Sequence, residues 1–367
     1  MRVLVICDVL SPQTVGGAGR LAREVTVALG EKGNAVEFLT RQVPPYLSRN
    51  DANDIKTTYY PLLGKAYPTR FRQIFNDTIR DFKPDLVHIH QPLPAFLLIP
   101  SSFSRPIVYT FHSSWAEEFK IKSSRWPHIF RKIVSPLLAE VEKRVLHRAT
   151  AITVLSEFSQ RKLKQLYNRD GVIIPGGVNS ERFQPIEEIE SSQTLRLVTL
   201  RNLVPRMGLP QLIRAMKLLP SHIELTIGGQ GPLRNELMRL IGSLGLSERV
   251  QLAGHVPDDD LSHFYSSANW FVLPTVALEG FGLVILESLS CGTPVLGTRI
   301  GAIPELLEKF DPQWIIKEPT PEAIAATILS VSENPPPSPN HLHDRVSAEF
   351  DWRHIAAHYL DLFVSLI

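Results

Sequence analysis

A chain of 367 residues exceeds the size at which one hydrophobic core stops growing, so two domains are expected. Its 44% hydrophobic and 21% charged residues exclude a disordered or fibrous chain, and no apolar run approaches the ~20 residues that span a bilayer. The formal net charge is only +2, yet residues 1–185 carry 26 Lys/Arg against 16 Asp/Glu while the remainder carry 13 against 21.

The opening "MRVLVICDVLSP" has one basic residue and an Asp within a short apolar run, which predicts a buried strand over Arg2–Cys7 and no signal peptide. Strand-length apolar runs follow at Ala35–Thr40, Asp85–His90, Ile107–Phe111, Ala151–Leu155 and Val172–Pro175. Between the first two, Leu21, Val25, Ala28 and Leu29 form one helical stripe over Ala18–Lys32, and Gly33 stops it. "QPIEEIESSQT" at 184–194 is polar and aperiodic, a linker. The scheme then repeats with Leu195–Leu200, Ile223–Ile227, Val250–Leu252, Trp270–Leu273, Pro294–Gly297 and Trp314–Ile316. "NPPPSP" at 334–339 is a break no helix crosses, and Asp351–Ile367 is amphipathic and helical. Strands alternating with helices predict an α/β fold of two doubly wound parallel sheets, spanning 1–185 and 195–345. The cysteines, Cys7 and Cys291, lie in different halves, which argues against a disulfide framework and for a reducing cytoplasm.

Gly17, Gly19 and Ala22 fit the spacing of a dinucleotide-binding loop, with Glu37 some way on. However, seven residues (Val9 to Val15) separate Asp8 from Gly16, too many for the tight turn that delivers a helix start to NAD. What survives is more general: glycines at a strand-to-helix junction let an anion reach backbone N–H groups. The second half carries the stronger signal, "LEGFGLVILESLSCGTPVLGT" at 278–298, in which Glu279 and Glu287 flank seven residues. A helix starting near Gly282 places free N–H groups between two carboxylates ~7 Å apart along its axis. Such amides suit a diphosphate, and the carboxylates suit hydroxyl groups on either side of it, a sugar and a ribose.

Together with "GGAGRLAREV", "IIPGGVN" at 173–179 and "IGGQGPL" at 227–233, these motifs resemble the retaining glycosyltransferases of family four over nearly the whole chain. The resemblance implies a GT-B fold: two Rossmann-like domains facing a cleft, an N-terminal acceptor domain and a C-terminal donor domain. It also implies that the last helix, 350–367, crosses back to the N-terminal domain. Residue by residue, it implies that Gly16 and Gly17 approach the donor diphosphate and that Gly229 belongs to the donor site. Glu279 would bind sugar hydroxyls, the amides of Phe281, Gly282 and Leu283 would serve sugar and phosphates, and Glu287 would hold the ribose. His112, ending "IVYTFH", would lie near the transferred sugar, and His255 and Val256 beside the base.

One segment departs from the family, whose G-R-L-x-x-x-K-G clamps the diphosphate with Arg and Lys. This chain has "LRNLVPRMGLPQL". Aligned on the glycine, Asn202 and Met207 fall on the basic positions; aligned on charge, Arg201 and Arg206 keep the separation. The second alignment is expected, because preorganised cations stabilise a leaving diphosphate without a metal.

The expected activity is therefore retaining, metal-independent transfer of a hexose from a UDP-sugar to a hydroxyl, with no cofactor. A degenerate transferase that binds nucleotide or protein, or a sugar-nucleotide epimerase or phosphorylase on the same fold, are the alternatives. His88, His90 and His112 could also form a three-histidine metal site, though they are more simply cleft or strand-end residues. "DDD" at 258–260 is expected as a helix N-cap run, and no P-loop is present. Finally, residues 119–148 hold eight basic and two acidic residues interleaved with Phe119, Trp126 and Phe130. One reading is a solvated face whose aromatics fill the core. The other is a surface around Arg125, Arg131 and Lys132 that meets a lipid-linked or anionic acceptor at the inner face of the membrane. Nucleic acid is excluded as a partner by the acidic second half.

Overall fold

The computed structural model describes residues 1–8, 17–41, 55–60, 67–123, 126–186, 194–333 and 337–367. Gly16, Arg125 and most of both linkers lie outside them. The chain forms two compact units, Met1–Gly176 with Trp352–Ile367, and Gly177–Asp351.

In the first unit the parallel strands β1 (Arg2–Cys7), β2 (Ala35–Arg41), β3 (Thr57–Tyr60), β4 (Leu86–Ile89), β5 (Ile107–Phe111), β6 (Ala151–Val154) and β7 (Val172–Ile173) lie in the order β3-β2-β1-β4-β5-β6-β7. Helices α1 (Gly17–Glu31), α2 (Tyr67–Phe82), α3 (Pro92–Leu98), α4 (Trp115–Lys122), α5 (His128–Arg148) and α6 (Glu157–Tyr167) connect them. Val3 to Cys7 are all buried, as a strand covered on both faces requires. β3 was not expected: "TTYY" is a short edge strand in which only Tyr60 is buried, so it has no apolar run to show.

The second unit repeats the design with β8 (Leu195–Leu200), β9 (Ile223–Gly228), β10 (Val250–Gly254), β11 (Trp270–Leu273), β12 (Val295–Thr298) and β13 (Ile315–Ile316), ordered β10-β9-β8-β11-β12-β13. Its helices are α7 (Leu209–Met216), α8 (Arg234–Ser243), α9 (Leu261–Ser266), α10 (Leu283–Ser290), α11 (Ile303–Leu307), α12 (Pro321–Ser332) and α13 (Pro339–Phe350). Asp258–Asp260 is itself a 3₁₀ turn, and Asp260 stands at the N-cap of α9 without a side-chain capping bond, unlike the expected cap.

The boundary lies at Gly176 and not at 185. Phe183 anchors the intervening segment in the second unit: it is buried, its carbonyl accepts from Ser290 Oγ at 2.6 Å, and its ring meets Tyr265. Likewise 346–351 stay with the second unit, where the Val178 amide donates to the Phe350 carbonyl at 2.8 Å and Asp351 accepts from the Ser180 amide. The last helix, α14 (Trp352–Val364), belongs to the first unit and packs on α1, burying Ile355, Ala356, Tyr359 and Phe363.

Candidate active site

In the second sheet the winding reverses between β8 and β11, and the loops leaving their carboxyl ends part there. Doubly wound sheets bind ligands at such a point. β8 ends at Leu200 and delivers Arg201; β11 ends at Leu273 and leads to Thr275 and Glu279. The Arg201 guanidinium pairs with Glu279, Nη2 to Oε2 at 2.6 Å, and the same nitrogen lies 2.8 Å from Met207 Sδ and 3.3 Å from Thr275 Oγ1. Its Nε is buried without a partner. Arg206 Nη1 instead donates to the Leu278 carbonyl at 2.7 Å.

The backbone around this pair is tightly constrained. Gly229, with φ +120°, lies so close that a Cβ would overlap the Arg201 carbonyl oxygen, and a Cβ on Gly301, φ +63°, would overlap that of Glu279. Leu278 is left-handed with φ 50°, a conformation costly for a leucine and held here by the Arg206 contact. Val256 packs over Gly228, while His255 beside it is exposed.

Gly282 is the left-handed N-cap of α10, and no side chain caps that end. The first-turn amides, from Leu283 on, therefore face the end where Phe281, Gly282 and Glu279 lie, with the positive pole of the helix behind them. Ile285, Leu286 and Leu289 bury the other face. Glu287 is buried and accepts from the Tyr265 hydroxyl at 2.7 Å.

The structure thus brings Arg201, Arg206, Glu279, Phe281, Gly282 and Leu283 together, with Gly229 against the backbone of Arg201. It corrects one expectation: Arg201 is not a free cation waiting for a diphosphate, because Glu279 already neutralises it. It also gives Gly208 a steric role, since a Cβ at its φ of +71° would overlap the Pro274 carbonyl. Met207, next to it, turns its thioether onto Arg201, so one guanidinium occupies the space between the two alternative basic positions.

The remaining predicted residues lie in the first unit. Gly17 opens α1 with empty space where a Cβ would stand. His112 follows β5, and its Nε2 is 3.2 Å from His90 Nδ1; His88 Nε2 is 2.8 Å from Thr110 Oγ1. Burial lowers all three imidazoles, His88 to about 3 and His112 to about 4, so they are neutral. One nitrogen of each is thus taken up by another imidazole or by Thr110, and the described residues contain no group of three ligands arranged for a metal.

Sequence reasoning missed Glu142 on α5. Fully buried, it accepts from Tyr109 Oη at 3.1 Å, Tyr167 Oη at 2.5 Å and the Trp115 amide at 3.1 Å, fastening the loop that follows His112. Burial pushes its carboxyl up to about 7 against the pull of those donors. The signal was present: Glu142 shares a helical face with Val145 and Leu146, an apolar stripe interrupted by one acid.

Residues 160–347 match the family described as Glycosyl transferases group 1, and residues 15–182 that described as Glycosyltransferase Family 4. A phosphatidylinositol N-acetylglucosaminyltransferase from Arabidopsis thaliana is 25% identical over 380 residues, covering 97% of this chain and 80% of the relative. Sucrose-phosphate synthase from Thermosynechococcus elongatus is similar in structure, with a TM-score of 0.83 over 100% of this chain and 98% of its own at 22% identity. HepE from Anabaena, solved with UDP and glucose, has a TM-score of 0.79 over 100% of both chains at 18% identity. These likenesses show the GT-B fold, two Rossmann-like units of parallel sheet and flanking helices.

Proposed function

Because the chain belongs to the group 1 glycosyl transferases, we propose that it moves a hexose from a UDP-sugar to a hydroxyl of a lipid-linked or anionic acceptor, with retention and without a metal. The observation that carries this is the uncapped start of α10 beside the Arg201–Glu279 pair at the switch point of the second sheet. The first-turn amides and helix pole supply positive potential for a diphosphate. Glu279 keeps its second oxygen for sugar hydroxyls, since only Oε2 is engaged by Arg201 among the described residues. Glu287 lies further along the helix for the ribose, held by Tyr265.

In this reading the bond from the anomeric carbon to the β-phosphate oxygen breaks and the acceptor oxygen bonds to the same face. The acceptor proton passes to the departing phosphate. Charge develops on that phosphate, where the amides and Arg206 stabilise it. The acceptor class draws support from the Arabidopsis relative, whose name specifies phosphatidylinositol, and the uridine base from the UDP in HepE.

A thermal-shift series with UDP-hexoses, GDP-mannose and NAD tests the donor, since a bound ligand raises the midpoint by mass action. Release of UDP on adding acceptor, unchanged by EDTA, tests transfer. A midpoint raised by no nucleotide sugar overturns the proposal. The neutralised Arg201 and the apolar Met207 favour a second reading, a transferase-like binder; nucleotide binding without any release of UDP would select it.

A further inference from the structure

The outer face of α5 carries an apolar stripe that the rest of the described chain leaves uncovered. Ile129 is 72% exposed, Ile133 and Leu137 61% each, and Trp126, just before the helix, 52%; Phe130 is exposed beside them. The buried residues of the same helix are Ser135, Glu142, Val145 and Leu146. At 3.6 residues per turn the two sets centre about half a turn apart, so α5 is apolar on opposite sides. A helix apolar on both sides is ordinarily covered on both. The aromatics of this segment therefore do not fill the core: Trp126 stacks with its neighbours Phe119 and Phe130, at 6.2 and 5.1 Å between ring centroids.

Cations border the stripe. Lys132, Lys143 and Arg144 are exposed on α5 and Lys120 on α4, with Arg131 half-buried among them. The two acids of residues 119–148 hardly offset them, because Glu142 is buried and Glu140 pairs with Arg144 at 2.8 Å. Large apolar side chains with a tryptophan at one end, rimmed by lysine and arginine, match a bilayer interface: acyl chains beneath, anionic headgroups around. No described helix is long and apolar enough to cross a membrane, so this contact is attachment.

We propose that the N-terminal half of α5, with Trp126, lies in the headgroup region of an anionic bilayer and holds the first unit against it. This deepens the lipid-acceptor reading above and rests on it for purpose, although binding to vesicles needs neither donor nor transfer. Attachment is of mixed origin. Added salt shortens the Debye length from ~10 to ~3 Å between 0.1 and 1 M and weakens the binding, while insertion of the isoleucines keeps part of it.

The test uses the full chain with phosphatidylcholine vesicles containing or lacking phosphatidylglycerol, scored by co-sedimentation and by quenching of Trp126 with brominated acyl chains. Binding to the anionic vesicles with quenching is expected. Ile133→Glu should weaken it roughly tenfold or more, the fold-change for one large aliphatic side chain withdrawn from lipid. Lys132→Glu with Lys143→Glu should weaken it at low salt alone. Both substitutions lie on exposed positions, so the melting midpoint and the shift given by UDP-sugar stay as in the unmodified chain, which separates failure here from failure of the donor reading. No quenching, equal binding to neutral vesicles, or a dimer in solution that Ile133→Glu dissociates would overturn the proposal.

Discussion

Replacing Glu279 by Gln strips a buried guanidinium of its counter-charge. The ion pair measures 2.6 Å, and its side chains are only 6% and 14% exposed, so water is poorly placed to substitute for the carboxylate. What remains around Arg201 is the Met207 thioether and the Thr275 hydroxyl, with Nε already unpartnered. Removing one member of such a pair costs about 3–5 kcal/mol, whereas replacing both by neutral side chains of similar size is near neutral. Glu279→Gln should therefore lower stability by about 3 kcal/mol or more, and Arg201→Met in the same background should recover most of it. For a unit of this size, about 2–4 °C per kcal/mol puts the midpoint of the single variant roughly 10 °C down. Urea unfolding of the four proteins of the cycle, without nucleotide, gives the coupling directly. If a diphosphate sits against Arg201, UDP should also stabilise Glu279→Gln more than the parent, since it supplies the missing negative charge. A coupling below about 0.5 kcal/mol would mean the pair is a solvated surface contact, and the reasoning would fail.

Two further outcomes follow from the same geometry. Burial lowers His88, His90 and His112, so the stability they contribute is full above their ordinary pKa near 6.5 and is lost as pH falls. Glu142 is raised to about 7, so its contribution is full below the ordinary carboxylate range and lost as pH rises through 7. Over pH 5–6.5 the two oppose each other, and Glu142→Gln should steepen acid destabilisation by about one proton, ~1.4 kcal/mol per pH unit; an unchanged slope would show that Glu142 is ionised in the fold. Gly229→Ala and Gly301→Ala each drive a Cβ into a backbone carbonyl at positive φ and should cost about 3 kcal/mol, whereas Gly17→Ala, facing open space, should change stability by under about 0.5 kcal/mol. Calorimetry of the three variants checks this, and equal losses would refute it.

Most strands were legible because parallel strands buried on both faces leave unbroken apolar runs: Arg2–Cys7 and Leu195–Leu200 fall where the pattern placed them. The start of α10 was legible too, since a glycine before an apolar helical repeat has few other uses than a cap. β3 was not, because an edge strand needs only one buried side, and neither was the boundary at Gly176, which depends on where Phe183 finds its pocket. The spacing of Glu279 and Glu287 was fixed by the chain, but the partner of Glu279 was not. Arg201 lies 78 positions away and reaches it only because β8 and β11 are adjacent in the sheet. For the same reason His90 meets His112 across neighbouring strands, and the protonation of Glu142 depends on two tyrosines from other elements. On α5 the sequence set the apolar positions and the charges, but an isoleucine facing the core and one facing outward follow the same helical period. Only the packing of the other elements against one side decided that Ile129 and Ile133 are left uncovered.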